Sequence, residues 1–282
     1  MPELPEVETI KRGLSKFIIN KKLTRTTILC AKSFVGTPVT GTVKAIRRFG
    51  KALIIDLDNG KSLMIHLRMT GQLIYDGKER FAAGHPSDNF IDKLPNRQTR
   101  VVLEFDSGSL FFNDQRKFGF IKVIDTNQVE QDAFIKKLAK EPWQMSGDEF
   151  YEKLQKHKNS PIKAVLLDQT IICGLGNIYA DESLFMSGIH PATKAGSLTK
   201  KEATVLLNMA DRAMNISIAS GGSTMKDYVK ADGTKGDYLD KFAQIFNRTG
   251  KPCLVCGTTV EKIRVAGRGT HICPNCQRRK DD

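Results

Sequence analysis

The 282-residue sequence has no run of about 18 apolar residues, the length a helix needs to cross a bilayer, so no membrane partner is expected. It also lacks the opening of a secretory signal: MPELPEVETIKRG is acidic and then basic, with no apolar stretch before a small-residue cleavage site. A cytoplasmic protein is expected, nucleoid-associated when it acts. Negative charge is the scarcer sign. Against 44 Lys and Arg there are 31 Asp and Glu, a net charge of +13, which favours a polyanion, with nucleic acid the natural candidate because phosphate neutralisation releases counterions. Cysteine is sparse outside the tail, where four of the six lie; Cys30 and Cys173 stand alone in apolar surroundings and read as buried thiols. The five histidines, His66, His85, His157, His190 and His271, have no metal-ligand spacing and read as structural or surface residues. Internal repeats and low-complexity tracts are absent.

The length favours roughly two domains. Val7, Ile10, Leu14, Phe17 and Ile18 lie at helical spacing, and Pro5 is acceptable in a first turn, so a helix starts almost at the terminus. From Leu23 to Asp125 short β-rich runs follow: TRTTILC, ALIIDLD, KSLMIHLRM, RVVLEFD, SLFFND and FGFIKVID. Asn59-Gly60 and Ser107-Gly108 join neighbours as hairpins, which predicts an antiparallel sandwich or barrel. Asp76 to Gln98 is too rich in Gly, Pro and charge for a strand and reads as a surface loop. From Gln128 the texture is helical. Pro161 heads IKAVLLD, Asn177 precedes IYADESLFMSG, and Thr199 to Glu202 forms a capping box for a helix with Leu206, Leu207, Ala210, Met214 and Ile218 on one face. Gly221-Gly222 ends it. The reading is an α+β multidomain chain with boundaries at 1–127, 128–240 and 241–282.

The tail holds CLVC at 253–256 and CPNC at 273–276, sixteen residues apart. Two such knuckles suit one structural zinc ion, Zn2+, held by Cys253, Cys256, Cys273 and Cys276. A redox pair or two disulfides is the lesser alternative, because a cytosolic chain keeps thiols reduced. Between the knuckles a hairpin is expected to carry Arg268, flanked by two glycines, either as a phosphate contact or as a solvated arginine. GLGNIYADE offers glycines for close backbone approach and an Asn177 cap at a helix N-terminus that favours an anion. An ordinary inter-helix turn explains it equally. Lys163 adds a second cation there only if the two helices form a hairpin.

Together MPELPEVE, RRFGK, HLRMTG, QRKFG, GLGNIYADE, GGSTMKDY and the paired CxxC tail resemble the formamidopyrimidine-DNA glycosylases, from the first residue to nearly the last. The resemblance implies an N-terminal helix with an antiparallel β-sandwich, a helix-two-turn-helix domain and a four-cysteine zinc finger. It implies a base excision repair enzyme and AP lyase, acting as a monomer on double-stranded DNA with oxidised bases or abasic sites, which it holds in a cleft. Pro2 becomes the nucleophile once Met1 is removed, because a secondary amine gives an iminium that cannot lose a proton to a neutral imine. A helix N-terminus lowers that amine's pKa while neighbouring carboxylates raise it.

The same resemblance makes Glu3 the acid at the deoxyribose ring oxygen, Glu6 a supporting carboxylate, Lys51 a proton donor in elimination and Arg268 a phosphate grip. Composition alone makes Lys51 a surface lysine and Met69 a core filler; the resemblance makes Met69, Arg116 and Phe118 the wedge that fills the duplex when a base is flipped. Asn177 and Lys163 are the other candidate DNA contacts, and Arg97 could bind phosphate through its own charge. Thr224, Lys226 and Tyr238 belong to a segment, about 221–240, that covers the everted base or else serves as a plain linker. One departure stands: Asn96-Arg97-Gln98-Thr99 occupies positions where the family commonly has a histidine-containing, DNA-contacting segment. Two rivals remain, an endonuclease VIII-like enzyme for oxidised pyrimidines, which typically has glycine where this chain has Leu4, and a non-catalytic zinc-ribbon DNA-binding protein, which needs neither Pro2, Glu3 nor Lys51.

Overall fold

The first turn of the chain is built by its own acids. Glu3 is the N-cap of helix α1 (Leu4–Ile18), and Glu6 reaches back to accept the Glu3 N–H at 2.8 Å, one arm of a capping box, while Pro5 sits where a helix has no N–H partner to lose. The apolar stripe Val7, Ile10, Leu14 and Ile18 is buried on the sheet, each side chain contributing about 1.5–3 kcal/mol. The computed structural model describes residues 1–84, 93–222 and 238–279. The chain divides into two compact units, 1–136 with 218–237, and 137–217 with 238–282. Among the described residues no helix is long and apolar enough to cross a membrane.

In the first unit, ten described strands form one ladder. In chain order they are β1 (Lys22–Ile28), β2 (Phe34–Val35), β3 (Gly41–Phe49), β4 (Ala52–Leu57), β5 (Lys61–His66), β6 (Gly71–Gly77), β7 (Arg80–Gly84), β8 (Thr99–Phe105), β9 (Gly108–Asp114) and β10 (Phe120–Asp125). The order across the ladder is β2-β10-β5-β4-β3-β1-β8-β9-β6-β7, antiparallel except for β2 beside β10. A short pairing of β1 with β3, Lys22 opposite Thr42 and Leu23 opposite Gly41, joins the two halves of the sandwich. One core runs between them, with Leu53, Ile55, Leu63 and Ile65 from one half and Leu73, Val101, Leu103 and Phe112 from the other. Helix α1 packs on β3 and β7.

The segment expected to be a loop from Asp76 to Gln98 contains β7. Phe81 and Ala83 alternate into the core while Arg80 faces solvent, a period-two signal too short to stand out among polar neighbours. Strand β3 is not among the expected runs either, because only Val43 and Ile46 of its nine residues are buried. The Asn59-Gly60 and Ser107-Gly108 turns lie where expected, between β4 and β5 and between β8 and β9.

The second unit contains α2 (Gly147–Lys156), α3 (Ile162–Leu167), α4 (Asn177–Met186), most of α5 (Lys200–Ser220) and a hairpin of β11 (Glu261–Val265) and β12 (Arg268–Ile272). Thr199 and Glu202 do form the capping box: Glu202 accepts the Thr199 N–H at 2.8 Å and donates its own N–H to the Thr199 hydroxyl at 3.3 Å. Leu206, Leu207, Ala210 and Met214 are buried on one face of α5.

Strand β7 supplies a direct test of its place in the core. Phe81→Ala should lower the unfolding free energy by about 3–5 kcal/mol in a denaturant titration, the cost of deleting a buried aromatic. A change within about 0.5 kcal/mol, the size expected at a surface position, would contradict the assignment.

Candidate active site and nucleic-acid interface

The Met1 side chain is half exposed, yet Pro2 and Glu3 behind it are buried. Burial pushes the terminal amine below its ordinary pKa; Glu3 and Glu6 pull it up, Lys51 pushes it down, and the net shift is downward. The four groups, scattered over fifty residues of sequence, therefore share one electrostatic site. Lys51 is only 6 % exposed. It is the second residue of a two-residue turn between Phe49 of β3 and Ala52 of β4, and Gly50 ahead of it has φ +54°, which glycine adopts without a Cβ clash.

An ion pair ties that turn to α1. Glu8 of α1 receives Arg48 Nε at 2.9 Å and Arg12 Nε at 3.0 Å, and Arg48 Nη1 donates to the Gly50 carbonyl at 3.0 Å. Burial pushes the Glu8 carboxyl up, but Arg48, Arg12 and Lys11 outweigh it and hold it below its ordinary value. The helix that starts at Glu3 and the turn that presents Lys51 are thus joined through one carboxylate and one guanidinium. Nothing in the local sequence of either segment announces this.

His66, at the end of β5, pairs in register with Ala52 beside Lys51. Its Nδ1 accepts the Arg68 N–H at 3.0 Å, which leaves the proton on Nε2. Burial, with the cations Arg68 and Lys51, lowers its pKa to about 3, so the imidazole is neutral at physiological pH.

Two exposed loops of the first unit carry the expected wedge. Met69 is 36 % exposed and Phe118 55 %, and the Arg116 guanidinium lies 4.8 Å from the Phe118 ring centre. Met69 is therefore not a core filler. Arg97 is exposed, and its carbonyl accepts from Arg100, whose buried guanidinium also donates to the Asp114 carbonyl at 2.7 Å. Arg100 gives no sign of this in the sequence, because a cation inside a strand resembles any surface cation.

In the second unit the hairpin turn Ala266-Gly267 has positive φ at both residues and leaves the Arg268 side chain exposed at the start of β12. Lys163 does not join it as a surface cation. Its side chain has no exposed area; Nζ pairs with Asp181 Oδ1 at 2.6 Å and donates to Thr270 Oγ1 at 2.7 Å and to the Gly269 carbonyl at 3.1 Å. With three acceptors around its three protons, this ammonium anchors the hairpin and has no donor to spare for phosphate. Asn177 is also corrected: Gly176 is the N-cap of α4, and the Asn177 side-chain amide donates to the Gly269 carbonyl at 3.0 Å.

Asp181 further accepts the His271 N–H at 3.0 Å, and the neighbouring Glu182 accepts three backbone N–H groups, from Gln244, Ile245 and Phe246, at 2.7–2.9 Å. Adjacent acids of α4 thus fasten both the hairpin and the stretch of chain leading to it. Tyr238, expected in the segment over the everted base, is instead buried, its ring 5.5 Å from that of Tyr179, because its aromatic area is packed inside the second unit. Thr224 and Lys226 lie outside the described residues.

Cys253, Cys256, Cys273 and Cys276 meet, with all four sulfurs within 4.8 Å of one another. Sulfur separations of 3.5 Å for Cys256 to Cys273 and 3.9 Å for Cys253 to Cys276 match the edge of a tetrahedron with metal–sulfur bonds of about 2.3 Å, and none of the four is in a disulfide. The donor set fits a closed structural metal site.

The burial of Lys163 separates anchoring from surface contact. Lys163→Met or Asp181→Asn should each destabilise the second unit by about 3–5 kcal/mol in denaturant unfolding, because each strands a buried partner. Loss of DNA affinity at unchanged stability would restore Lys163 as a phosphate ligand.

Family comparisons agree with this geometry along the chain. Residues 1–121 match the formamidopyrimidine-DNA glycosylase N-terminal domain, 138–229 its H2TH domain, and 250–279 the zinc finger found in FPG and IleRS. The formamidopyrimidine-DNA glycosylase of Ligilactobacillus salivarius is 39% identical over 98% of this chain and 99% of its own, and that of Streptococcus pneumoniae 39% over 99% and 100%. Among solved structures, a Lactococcus lactis FPG mutant in complex with a Fapy-dG containing DNA superposes with a TM-score of 0.87 at 32% identity, covering 99% of this chain and 100% of that one. The L. lactis enzyme bound non-covalently to AP-site DNA gives 0.85 at the same identity and coverage. With three matched domains in order and full-length relatives well above 30% identity, the chain belongs to the formamidopyrimidine-DNA glycosylase family.

Proposed function

We propose that the protein excises oxidised purines, 8-oxoguanine and formamidopyrimidines, from duplex DNA and then cuts the strand by β,δ-elimination. The observation that carries this reading is the terminal amine, which burial, helped by Lys51, holds below its ordinary pKa against the upward pull of Glu3 and Glu6. Removal of Met1 transfers that environment to the secondary amine of Pro2. A depressed pKa raises the free-base fraction at neutral pH, the form that can attack carbon.

The Pro2 nitrogen bonds to C1′ of the damaged nucleotide as the C1′–N bond breaks, and the base leaves with the electron pair and takes up a proton. Glu3 protonates the ring oxygen as the sugar opens, with Glu6 holding the Glu3 backbone in place. The resulting iminium bears a fixed charge that acidifies C2′. Loss of that proton expels the 3′ phosphate, and a second proton loss expels the 5′ phosphate. Lys51 serves as a proton donor in elimination, and Arg268 grips the phosphates beside the lesion. Met69, Arg116 and Phe118 fill the gap left by the flipped nucleotide, Arg97 and Asn177 contact the backbone, and the segment with Thr224 and Lys226 covers the everted base. One zinc ion is the proposed occupant of the four-cysteine site, where closed coordination gives it a folding role and no reaction step.

Processed protein should form a borohydride-stable adduct with duplex DNA carrying 8-oxoguanine opposite cytosine. Pro2→Gly, whose primary amine can relax to a neutral imine, should trap at least about tenfold less. Absence of any adduct with a correctly processed terminus would sink the Schiff-base mechanism, and preferential trapping on an oxidised-pyrimidine duplex would shift the substrate class to the endonuclease VIII type.

Metal removal should act on one unit only. Chelation or Cys253→Ser should abolish DNA binding by unfolding the finger while the β-sandwich keeps its far-ultraviolet signal, and unchanged affinity in fully metal-free protein would count against the structural zinc.

A further inference from the structure

The two loops that carry Met69 and Arg116–Phe118 are separated by more than forty residues, yet they meet at one buried carboxylate. Asp114 closes β9 with no exposed area, directly opposite Gly71 at the start of β6. Its Oδ1 accepts the Thr70 hydroxyl and, at 3.1 Å, the Arg116 N–H; its Oδ2 accepts the Gly119 N–H at 2.7 Å. The Thr70 oxygen in turn accepts the Arg116 N–H at 3.0 Å. A single side chain thus grips both ends of the exposed 115–118 loop and the residue that follows Met69.

The surrounding backbone has little freedom to do otherwise. Arg68, just before Met69, has φ +51°, and Lys117, just before Phe118, has φ +56°, both in the left-handed region that non-glycine residues adopt at a cost. Strain of this kind persists only where neighbouring bonds over-determine the conformation. At Gly119 a Cβ would come within 2.7 Å of the Phe112 ring and 3.0 Å of the His66 carbonyl, so the loop is drawn against the sheet at its Oδ2 anchor. The Arg68 guanidinium, 5.8 Å from the Phe120 ring centre, packs the other side of the turn.

We infer that Asp114 and Thr70 are positioning residues for the duplex-filling wedge: they fix Met69, Arg116 and Phe118 as one rigid set that enters the base stack together. The inference rests on the wedge reading of those three residues. A wedge held by backbone hydrogen bonds meets the unstacked duplex without first having to order two loops, so its loss should slow base extrusion and leave chemistry on an already extruded site intact.

The test uses full-length processed protein and stopped-flow fluorescence of a base analogue placed beside 8-oxoguanine in a duplex. Met69→Ala and Phe118→Ala report on the wedge itself, and Thr70→Val and Asp114→Asn on its support. Both support variants should slow extrusion about tenfold, the loss of one hydrogen bond to a charged group, while borohydride trapping at a preformed abasic site under saturating DNA changes by less than about twofold. Thr70→Ser, which keeps the hydroxyl, should restore the rate even where Asp114→Asn folds poorly. If the wedge variants slow extrusion and Thr70→Val does not, the positioning role is wrong and the wedge reading survives. If neither wedge variant slows it, both fall. An equal loss in extrusion and in abasic-site trapping by Thr70→Val would reduce the pair to general structural support and overturn the inference.

Discussion

Arg48 and Glu8 are joined at 2.9 Å, with side chains about one-tenth exposed, and the placing of the terminal amine beside the Lys51 turn depends on that contact. Burial holds the terminal amine below its ordinary pKa, and Lys51, itself buried, adds its charge to the same field. Both conditions require helix α1 and the Gly50-Lys51 turn to hold a set separation. A guanidinium that bonds the helix carboxylate with one nitrogen and the turn carbonyl with another meets that need through geometry that a lysine could not reproduce. The two segments are then positioned by the same few atoms, and the amine's low pKa follows from the burial that results.

The second unit solves a similar problem with the opposite polarity. There a lysine is buried, and an aspartate, a threonine hydroxyl and a backbone carbonyl surround it. Asp181 and Glu182 point from one helix into two different stretches of the C-terminal region, so the hairpin bearing Arg268 rests on α4 as well as on the cysteine cluster. Charged groups taken out of water in this way are costly unless all their hydrogen-bonding capacity is used, and here the used capacity also fastens the strand that carries Arg268. In both units, buried charge fixes the position of the segments around it.

Much of this is legible in the residues. The N-terminal helix follows from five apolar positions at helical spacing, the cysteine site from two CxxC pairs, and several hairpins from Gly-containing turns. These are short-range signals, in which residues a few positions apart determine the local geometry. Strand β7 escapes such a reading because only two of its side chains face the core. Lys163 reads as a cation for phosphate, yet its solvation depends on Asp181, eighteen residues away, and on a hairpin more than a hundred residues away. Asp114 is a different case, since an aspartate bonding the N–H two residues on is a recognisable turn signal in the residues themselves.

Residue identity and order settle which chemical groups are present: a proline behind Met1, acids around it, four thiols at metal spacing and an excess of positive charge. These depend on covalent neighbours and composition, which need no fold to be read. Which charged groups lose their water, and to whom they are then bonded, is settled by folding alone. Lys51 and Lys163 are the same side chain in similar company, yet one acts on the terminal amine as part of its field and the other is an anchor inside a core, because burial and pairing arise from contacts between segments that the chain brings together only when it folds.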